Sequence, residues 1–379
     1  MVLLVVNNMM IIKGKYTQAN VMIDSIDEST YSQILNLVNN SSFKDSYIAI
    51  MPDCHCGNGV CIGFTMHMKD RIIPNIVGVD IGCGMLSAKF DIEHLDVEKF
   101  DIFIKENIPS GFSINKNNDI KVPILGGDPD MMKKIGMDEE RFLNSIGTLG
   151  GGNHFIEAGY GEDKKIWVTI HSGSRNFGLK IANYHSNVAK AFCERNNFET
   201  KGIPFLLVDS EEGEDYLVDQ EIAVLYAQQN RESMMSKIES FIGKSIHQIE
   251  SVHNFVGENG MIRKGATSAN KGEIVIIPFN MRDGLAICEG KGNHEYNYSA
   301  PHGAGRILSR SKAKSTLDVE YFVEDMKQAG VYTTTADITT IDESPSAYKD
   351  MSVILENIKD TVDVVEMIKP IYNFKAGSK

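Results

Sequence analysis

Val77-Gly78-Val79-Asp80-Ile81-Gly82-Cys83-Gly84-Met85 sets a carboxylate and a thiol three residues apart, where Gly78, Gly82 and Gly84 let the backbone crowd against an ion. A hard oxygen beside a soft sulfur suits Mn, Fe, Co or Zn better than Mg or Ca alone. A lone buried cysteine is more often a small hydrophobe than a ligand. Other segments tip the balance here. Gly152-Asn153-His154-Phe155, His171-Ser172-Gly173-Ser174-Arg175, Val252-His253-Asn254 and Pro301-His302-Gly303-Ala304-Gly305-Arg306 each set a histidine among small or polar residues. Together they describe one site gathered from distant parts of the chain.

The remaining composition bounds what such a site can serve. A chain of 379 residues with 42% hydrophobic content can bury a substantial core. Its formal charge of −13 argues against gripping nucleic acid over the whole surface, so any such contact is local. The six cysteines form no even ladder of the kind that staples small secreted domains, and a reducing cytoplasm fits them better. The apolar start, Met1 to Ile12, lacks a basic region and a small-residue cleavage site and reads as a buried strand. No run approaches the roughly 18 apolar residues needed to span a bilayer, so a soluble, cytoplasmic protein without membrane contact is expected. Without repeats or Pro- or Ser-rich linkers, residues 1–379 are expected to form a single domain.

Short β-rich runs at Tyr47-Ile48-Ala49-Ile50, Ile72-Ile73 and Val77-Gly78-Val79, with a helix over 28–39 capped by Asp27 or Ser29, predict a mixed α/β start. Helical spacing returns over 184–195 and 217–243, where Ile222, Leu225, Tyr226 and Gln229 recur at three and four. Lys165 to Ile170 and Glu273 to Ile277 read as buried strands, the first leading into His171. The closing stretch from Lys369 to Gly377 is too apolar for a loose tail and is expected to fold onto the core.

The glycine run Gly147-Thr148-Leu149-Gly150-Gly151-Gly152 could cradle phosphate on its amides, with Asn153, His154 and Glu157 adding a donor, a ligand and an acceptor. Arg175 is placed to pair with phosphate in bidentate fashion. His253-Asn254 repeats the ligand-and-amide pairing of Asn153-His154. His302 has a rigid approach from Pro301 and open backbone beyond it, which suits a nucleophile. Asp53 and His55, in Pro52-Asp53-Cys54-His55-Cys56, are expected to line or brace the site. His67, His94, His185, His247 and His294 have no paired ligand nearby and read as structural. From these residues alone the reading is a two-metal phosphoryl-transfer enzyme.

The set Pro52-Asp53-Cys54-His55, Val79 to Gly84, Gly152 to Phe155, His171 to Arg175, His253-Asn254, Arg263-Lys264-Gly265-Ala266-Thr267 and His302 to Arg306 resembles the RtcB family of RNA-splicing ligases, from about residue 45 to Asn373-Phe374-Lys375-Ala376-Gly377. The resemblance implies a large α/β (α+β) domain with mixed sheets enclosing a deep two-metal site. It implies an RNA ligase that joins a 3′-phosphate or 2′,3′-cyclic phosphate to a 5′-hydroxyl, using GTP and two Mn(II) ions, in tRNA splicing or RNA repair, with an archease-type activator as a possible partner. Carried over, Cys83 bridges the two ions, Asp80 and His154 complete one site and His171 and His253 the other. His302 would carry GMP as a covalent intermediate. Glu157, Tyr348 and Lys375 would contact guanine or nucleotide, Asn153, Asn254, Ala304 and Gly305 phosphate and ribose, and Arg175 RNA or nucleotide phosphate. The chain departs from better-known members at Cys54 and Cys56 and over Asn280-Met281-Arg282-Asp283-Gly284. Two other readings are a metal-dependent phosphoesterase or nuclease acting on RNA ends, which needs no nucleophilic His302, and a metal-stabilised RNA-binding module without turnover.

Overall fold

The computed structural model describes residues 3–6, 9–116, 131–257 and 259–377. The chain opens on β1 (Leu3–Val6), β2 (Met9–Lys13) and β3 (Gln18–Val21), crosses through α1 (Glu28–Val38), and continues in β4 (Tyr47–His55) and β5 (Ile62–His67). β3 and β4 run parallel, so a crossover must join them, and α1 supplies it. Asp27 starts that helix by accepting from the Thr30 N–H.

β6 (Arg71–Ile72) and α2 (Pro74–Val77) lead into β7 (Gly84–Phe90). α3 (Val97–Asn107), α4 (Met131–Lys134) and α5 (Glu139–Asn144) precede β8 (Phe155–Tyr160) and β9 (Ile166–Ser172). Two long helices, α6 (Arg175–Arg195) and α7 (Glu211–Ile242), flank β10 (Leu206–Leu207). Then come β11 (His247–Val252), β12 (Asn254–Val256), β13 (Met261–Lys264), β14 (Ala266–Ser268), β15 (Ile274–Asn280), β16 (Gly284–Gly290) and β17 (Ser299–Pro301). α8 (Arg310–Thr316), α9 (Val319–Gln328) and α10 (Met351–Asn357) precede the closing strand β18 (Val362–Lys375).

The strands form a seven-stranded sheet in the order β1-β2-β3-β4-β5-β13-β12 and a second in the order β11-β7-β9-β8-β18-β16-β15, with two-stranded ribbons β10-β6 and β14-β17 beside them. This is the α/β (α+β) class that the resemblance implied, although only the first sheet is mixed, through its parallel β3–β4 pair, and the second is antiparallel throughout. One core fills the space between the first sheet and α1, α6 and the first half of α7, with Ile34, Phe64, Phe177, Tyr216 and Tyr226 in it. A second packs Met234, Met235 and Ile238 of α7 against Leu86, Val168 and Ile170 of the second sheet. The long helix α7 therefore belongs to both cores and ties the sheets together.

Some sequence expectations shift. Val77-Gly78-Val79 is not a strand: Pro74 opens α2, and Gly78 at φ +87° ends it in a turn. The apolar start is a hairpin of β1 and β2, with Met1, Val2, Asn7 and Asn8 outside the described residues. α6 begins nine residues and α7 six residues before the expected starts, because Gly178 and the acidic Glu211-Glu212-Gly213-Glu214 mask the helical period there. Along α7 Ile222 and Tyr226 are buried, whereas Leu225 faces outward. His171 lies within β9 rather than after it. The closing segment forms β18, a central strand of the second sheet.

Candidate two-metal active site

Strand register brings the site together at one end of the second sheet. Gly84 pairs with Ser172 and with Val252, and Phe155 pairs with His171 and with Lys375. Cys83 immediately before β7, His154 immediately before β8, His171 near the end of β9 and His253 just after β11 therefore converge. His253 also occupies the link through which the chain leaves the second sheet for β12 in the first. Two ligand groups result, Cys83 with His171 and His253, and Asp80 with Cys83 and His154, each with its donor atoms within 4.8 Å of one another.

The hydrogen bonds fix which nitrogens are available. His154 Nδ1 lies 2.9 Å from the Leu149 carbonyl and His171 Nδ1 lies 3.2 Å from the Asn153 carbonyl. A carbonyl only accepts, so both Nδ1 atoms are protonated, and in its neutral form each ring presents a lone pair at Nε2. Those lone pairs point at other electron-rich atoms. His154 Nε2 is 3.0 Å from Asp80 Oδ2, and His171 Nε2 is 3.3 Å from both Cys83 Sγ and His253 Nε2. A cation among them removes the repulsion, and sulfur, imidazole and carboxylate donors suit a first-row transition metal.

The electrostatics agree for His171 and His253. Burial holds His171 and His253 well below the usual histidine range, reinforced by neighbouring positive groups, which keeps them neutral. Burial and then Asp80 push the Cys83 thiol well up, partly offset by the Arg231 guanidinium, so metal binding must displace its proton.

Beside this cluster His302 follows β17, its ring centroid 4.8 Å from that of His253. Its Nδ1 donates to Asp53 Oδ2 at 2.7 Å, from a carboxylate wholly buried in β4. Nε2 is left without a protein partner among the described residues. His55 lines the same cleft, its Nδ1 donating to the Asp53 carbonyl at 3.0 Å, and burial lowers its pKa to about 4.

The cleft has a volume of about 780 Å³ and runs from the ligand cluster past His302 to a charged wall. Asn153, Glu157, Asn254, Ala304, Gly305, Tyr348 and Lys375 all line it. Asn254 also braces the metal turn, donating through Nδ2 to the Asp80 carbonyl at 3.2 Å and accepting from the Gly265 N–H at 2.8 Å. Gly305, at φ +75°, sits so close to β4 that a Cβ would fall 2.1 Å from the Asp53 carbonyl oxygen. Cys56, Asn280 and Met281, within the segments that depart from better-known relatives, line the cleft as well.

Arg175 and the glycine run are placed differently. Arg175 is not part of the cleft lining; its Nε donates to Thr148 Oγ1 at 3.2 Å and its Nη2 to the Gly111 carbonyl at 3.1 Å, beneath the Gly150 turn. The N–H groups of Gly147 and Thr148 are held by Asn230 Oδ1, so this part of the run is committed to the scaffold rather than free to cradle phosphate.

Glu343 and Asn373 were not singled out from the sequence. Glu343 is buried at the charged wall, with Lys375 Nζ 3.0 Å from Oε2, Arg306 Nη1 3.0 Å from Oε1 and the Tyr348 hydroxyl donating to it. Burial alone would raise its pKa, but Lys375, Arg306 and Arg310 overcome this and bring it to about 2. Asn373 Nδ2 donates to Glu157 Oε2 at 2.9 Å, and Glu157 Oε1 and Asn373 Oδ1 are buried without partners. Asn373 faces Glu157 across the β18–β8 pairing, a neighbour that no local motif announces.

Comparison with known proteins identifies the family. The sequence profile of the family described as tRNA-splicing ligase RtcB matches residues 33–134 and 125–376. The chain belongs to the RtcB family. The RNA-splicing ligase RtcB of Escherichia coli K12 is 31% identical over 386 aligned positions, covering 91% of this chain and 94% of the relative. The RNA-splicing ligase RtcB1 of another Escherichia coli strain is 30% identical with the same coverage. The tRNA-splicing ligase RtcB of Methanococcus maripaludis is 26% identical, covering 92% of this chain and 90% of the relative. Among the described residues no helix is long and apolar enough to cross a membrane.

Proposed function

We propose that this RtcB-family protein is an RNA ligase that uses GTP to activate an RNA 3′-phosphate for attack by a 5′-hydroxyl. The observation that carries the reading is His302 at the metal cluster, with Nδ1 anchored on buried Asp53 and Nε2 unpartnered. A neutral imidazole in that tautomer is a nucleophile. Its Nε2 attacks the α-phosphorus of GTP, the bond to pyrophosphate breaks, and Asp53 stabilises the positive charge that develops on the ring. GMP then passes to the RNA 3′-phosphate, after any 2′,3′-cyclic phosphate has been opened. The 5′-hydroxyl displaces GMP to close the strand.

Asp80, Cys83, His154, His171 and His253 would hold two Mn(II) ions, with Cys83 shared. Bound there, they supply charge neutralisation at the phosphoryl oxygens and the leaving group. Once ionised, the otherwise unpartnered oxygen of Glu157 accepts, and the ammonium of Lys375 donates, at the edge of a purine base, which supports guanine as the nucleotide base. Asn153, Asn254 and the backbone at Ala304 and Gly305 are positioned along the cleft for phosphate and ribose, and Tyr348 closes its wall. Arg175 acts on phosphate only through the turn it supports. An archease-type activator would serve to load GMP or sustain turnover.

Incubation with Mn(II) and α-phosphate-labelled GTP, followed by denaturing electrophoresis, tests the proposal. An acid-labile labelled band is expected in the native chain and none in His302→Ala. Asp53→Asn should slow labelling by roughly 10²–10⁴-fold, the range covered by a misoriented catalytic imidazole. Absence of label in the native chain, with GTP and Mn both bound, would favour a metal-dependent phosphoesterase acting on RNA ends instead.

A further inference from the structure

Asn230 and Arg231 are neighbours on α7 and both are fully buried, one helical turn beyond Tyr226 and Ala227 on a face whose one other buried side-chain amide is Gln220. They stand where α7 passes from one hydrophobic core to the other. Asn230 Oδ1 accepts from the N–H groups of Gly147 at 2.8 Å and Thr148 at 3.0 Å, while Nδ2 donates to Ser172 Oγ at 3.0 Å and the Gly173 carbonyl at 3.1 Å. Arg231 Nη1 donates to the carbonyls of Gly82 at 2.8 Å and Ser172 at 2.9 Å. Its Nε and Nη2 reach Glu250 Oε1 at 2.9 and 2.6 Å.

The bonded groups lie in the four segments that carry the sulfur and imidazole candidates. Gly82 precedes Cys83, and Ser172 follows His171. Glu250 lies on β11, which ends just before His253. Gly147 and Thr148 lead into Leu149, whose carbonyl holds His154 Nδ1. Two adjacent side chains on one rigid helix thus bind the four segments that deliver sulfur and imidazoles. We propose that Asn230 and Arg231 are positioning residues for the two-metal site, setting the separation of its ligand segments. This rests on the two-metal reading above. Backbone carbonyls and amides do not change place when a surface residue mutates, so bonds to them fix geometry more firmly than bonds between side chains.

The test uses the full chain freed of metal and titrated with Co(II), read by the thiolate-to-cobalt charge-transfer band and by equilibrium dialysis, with urea midpoints alongside. Asn230→Ala and Arg231→Lys are compared with Asp219→Asn. Asp219 lies on the same helix and accepts from buried His185 Nε2 at 2.7 Å, so its substitution disturbs α7 packing without touching a ligand segment. Asn230→Ala and Arg231→Lys should bind Co(II) about 10–100-fold more weakly with a changed band, the range typical of lost outer partners of a metal site. Asp219→Asn should lose stability yet keep wild-type cobalt binding. If Asn230→Ala does not fold, Arg231→Lys decides, because it keeps the buried charge but cannot span both carbonyls. Wild-type cobalt affinity and band in the Asn230 or Arg231 variant, or an equal loss in Asp219→Asn, would overturn the proposal. A native chain with no thiolate-cobalt band would instead sink the two-metal reading, and the positioning role with it.

Discussion

Glu157 shows how a single side chain couples the cleft to pH. Burial raises its pKa to about 8, although Asn373 and Lys375 favour the charged form. A carboxyl that holds its proton more tightly when folded contributes its stability fully below the ordinary value of 4.5 and loses it as pH rises through about 8. Wild-type stability should therefore fall between about pH 5 and 9 relative to Glu157→Gln, by on the order of 3 kcal/mol. Urea midpoints of the nucleotide-free proteins across that range measure this, and parallel curves would mean that the carboxylate is already compensated. Residues of this kind divide sharply in how visible they are along the chain. Asp80, Cys83, His154, His171, His253 and His302 announce themselves as reactive types set among glycines and small polar residues. Glu343 sits in Ile341-Asp342-Glu343-Ser344 with nothing local to mark it. Its partners Arg306, Tyr348 and Lys375 come from other segments, and only the fold discloses them.

Among the elements, the turn before β7 and helix α7 touch where Gly82 meets Val224. Gly82 has φ +73°, and a Cβ there would lie 2.8 Å from the Val224 Cα, a helix backbone atom that cannot swing aside. Gly82→Ala is expected to destabilise the chain by about 1–3 kcal/mol and to weaken Co(II) binding through displacement of Cys83. Gly111→Ala is the comparison: at φ +64° with nothing within 4 Å of its Cβ, it carries the backbone penalty alone. Thermal unfolding and cobalt titration of both variants separate strain from displacement, and matching losses of cobalt affinity would refute the close-contact argument. At this scale the apolar pattern was a good guide where one face is buried, as in α1, or both are, as in β9, and a poor one where other forces set the boundaries. The run Val77-Gly78-Val79 has strand composition but follows a proline-started helical turn. The first turns of α7 are acidic because they face solvent and the positive end of the helix dipole, so they carry no apolar period to read.

For the whole molecule, a charge of −13 leaves RNA contact to a few cations at the cleft, Arg306, Arg310 and Lys375, with Lys314 beyond its lining. Arg306, Arg310, Lys314 and Lys375 all lie within 4.0 Å of Asp342 or Glu343 carboxylate oxygens. RNA contacts should thus involve only two to four phosphates, giving a shallow salt dependence with a log–log slope of about −1.5 to −3. Fluorescence anisotropy of a short 3′-phosphorylated RNA across a potassium chloride series checks this, and a slope near −7 would require a broad basic surface. Architecture at this scale was accessible through family resemblance alone, since no local period specifies that two sheets meet at the link between β11 and β12.

The place of β18 has a bearing on how the enzyme comes into being. This strand, Val362–Lys375, lies between β8 and β16 in the second sheet, and it carries Asn373 and Lys375 into the cleft. Because β18 pairs with β8 on one side and β16 on the other, the sheet lacks an interior member until this strand is in place. A folding intermediate without β18 can hold every candidate metal ligand and His302 and still have an open nucleotide wall, so the pocket for the nucleotide is completed later than the place for the metals.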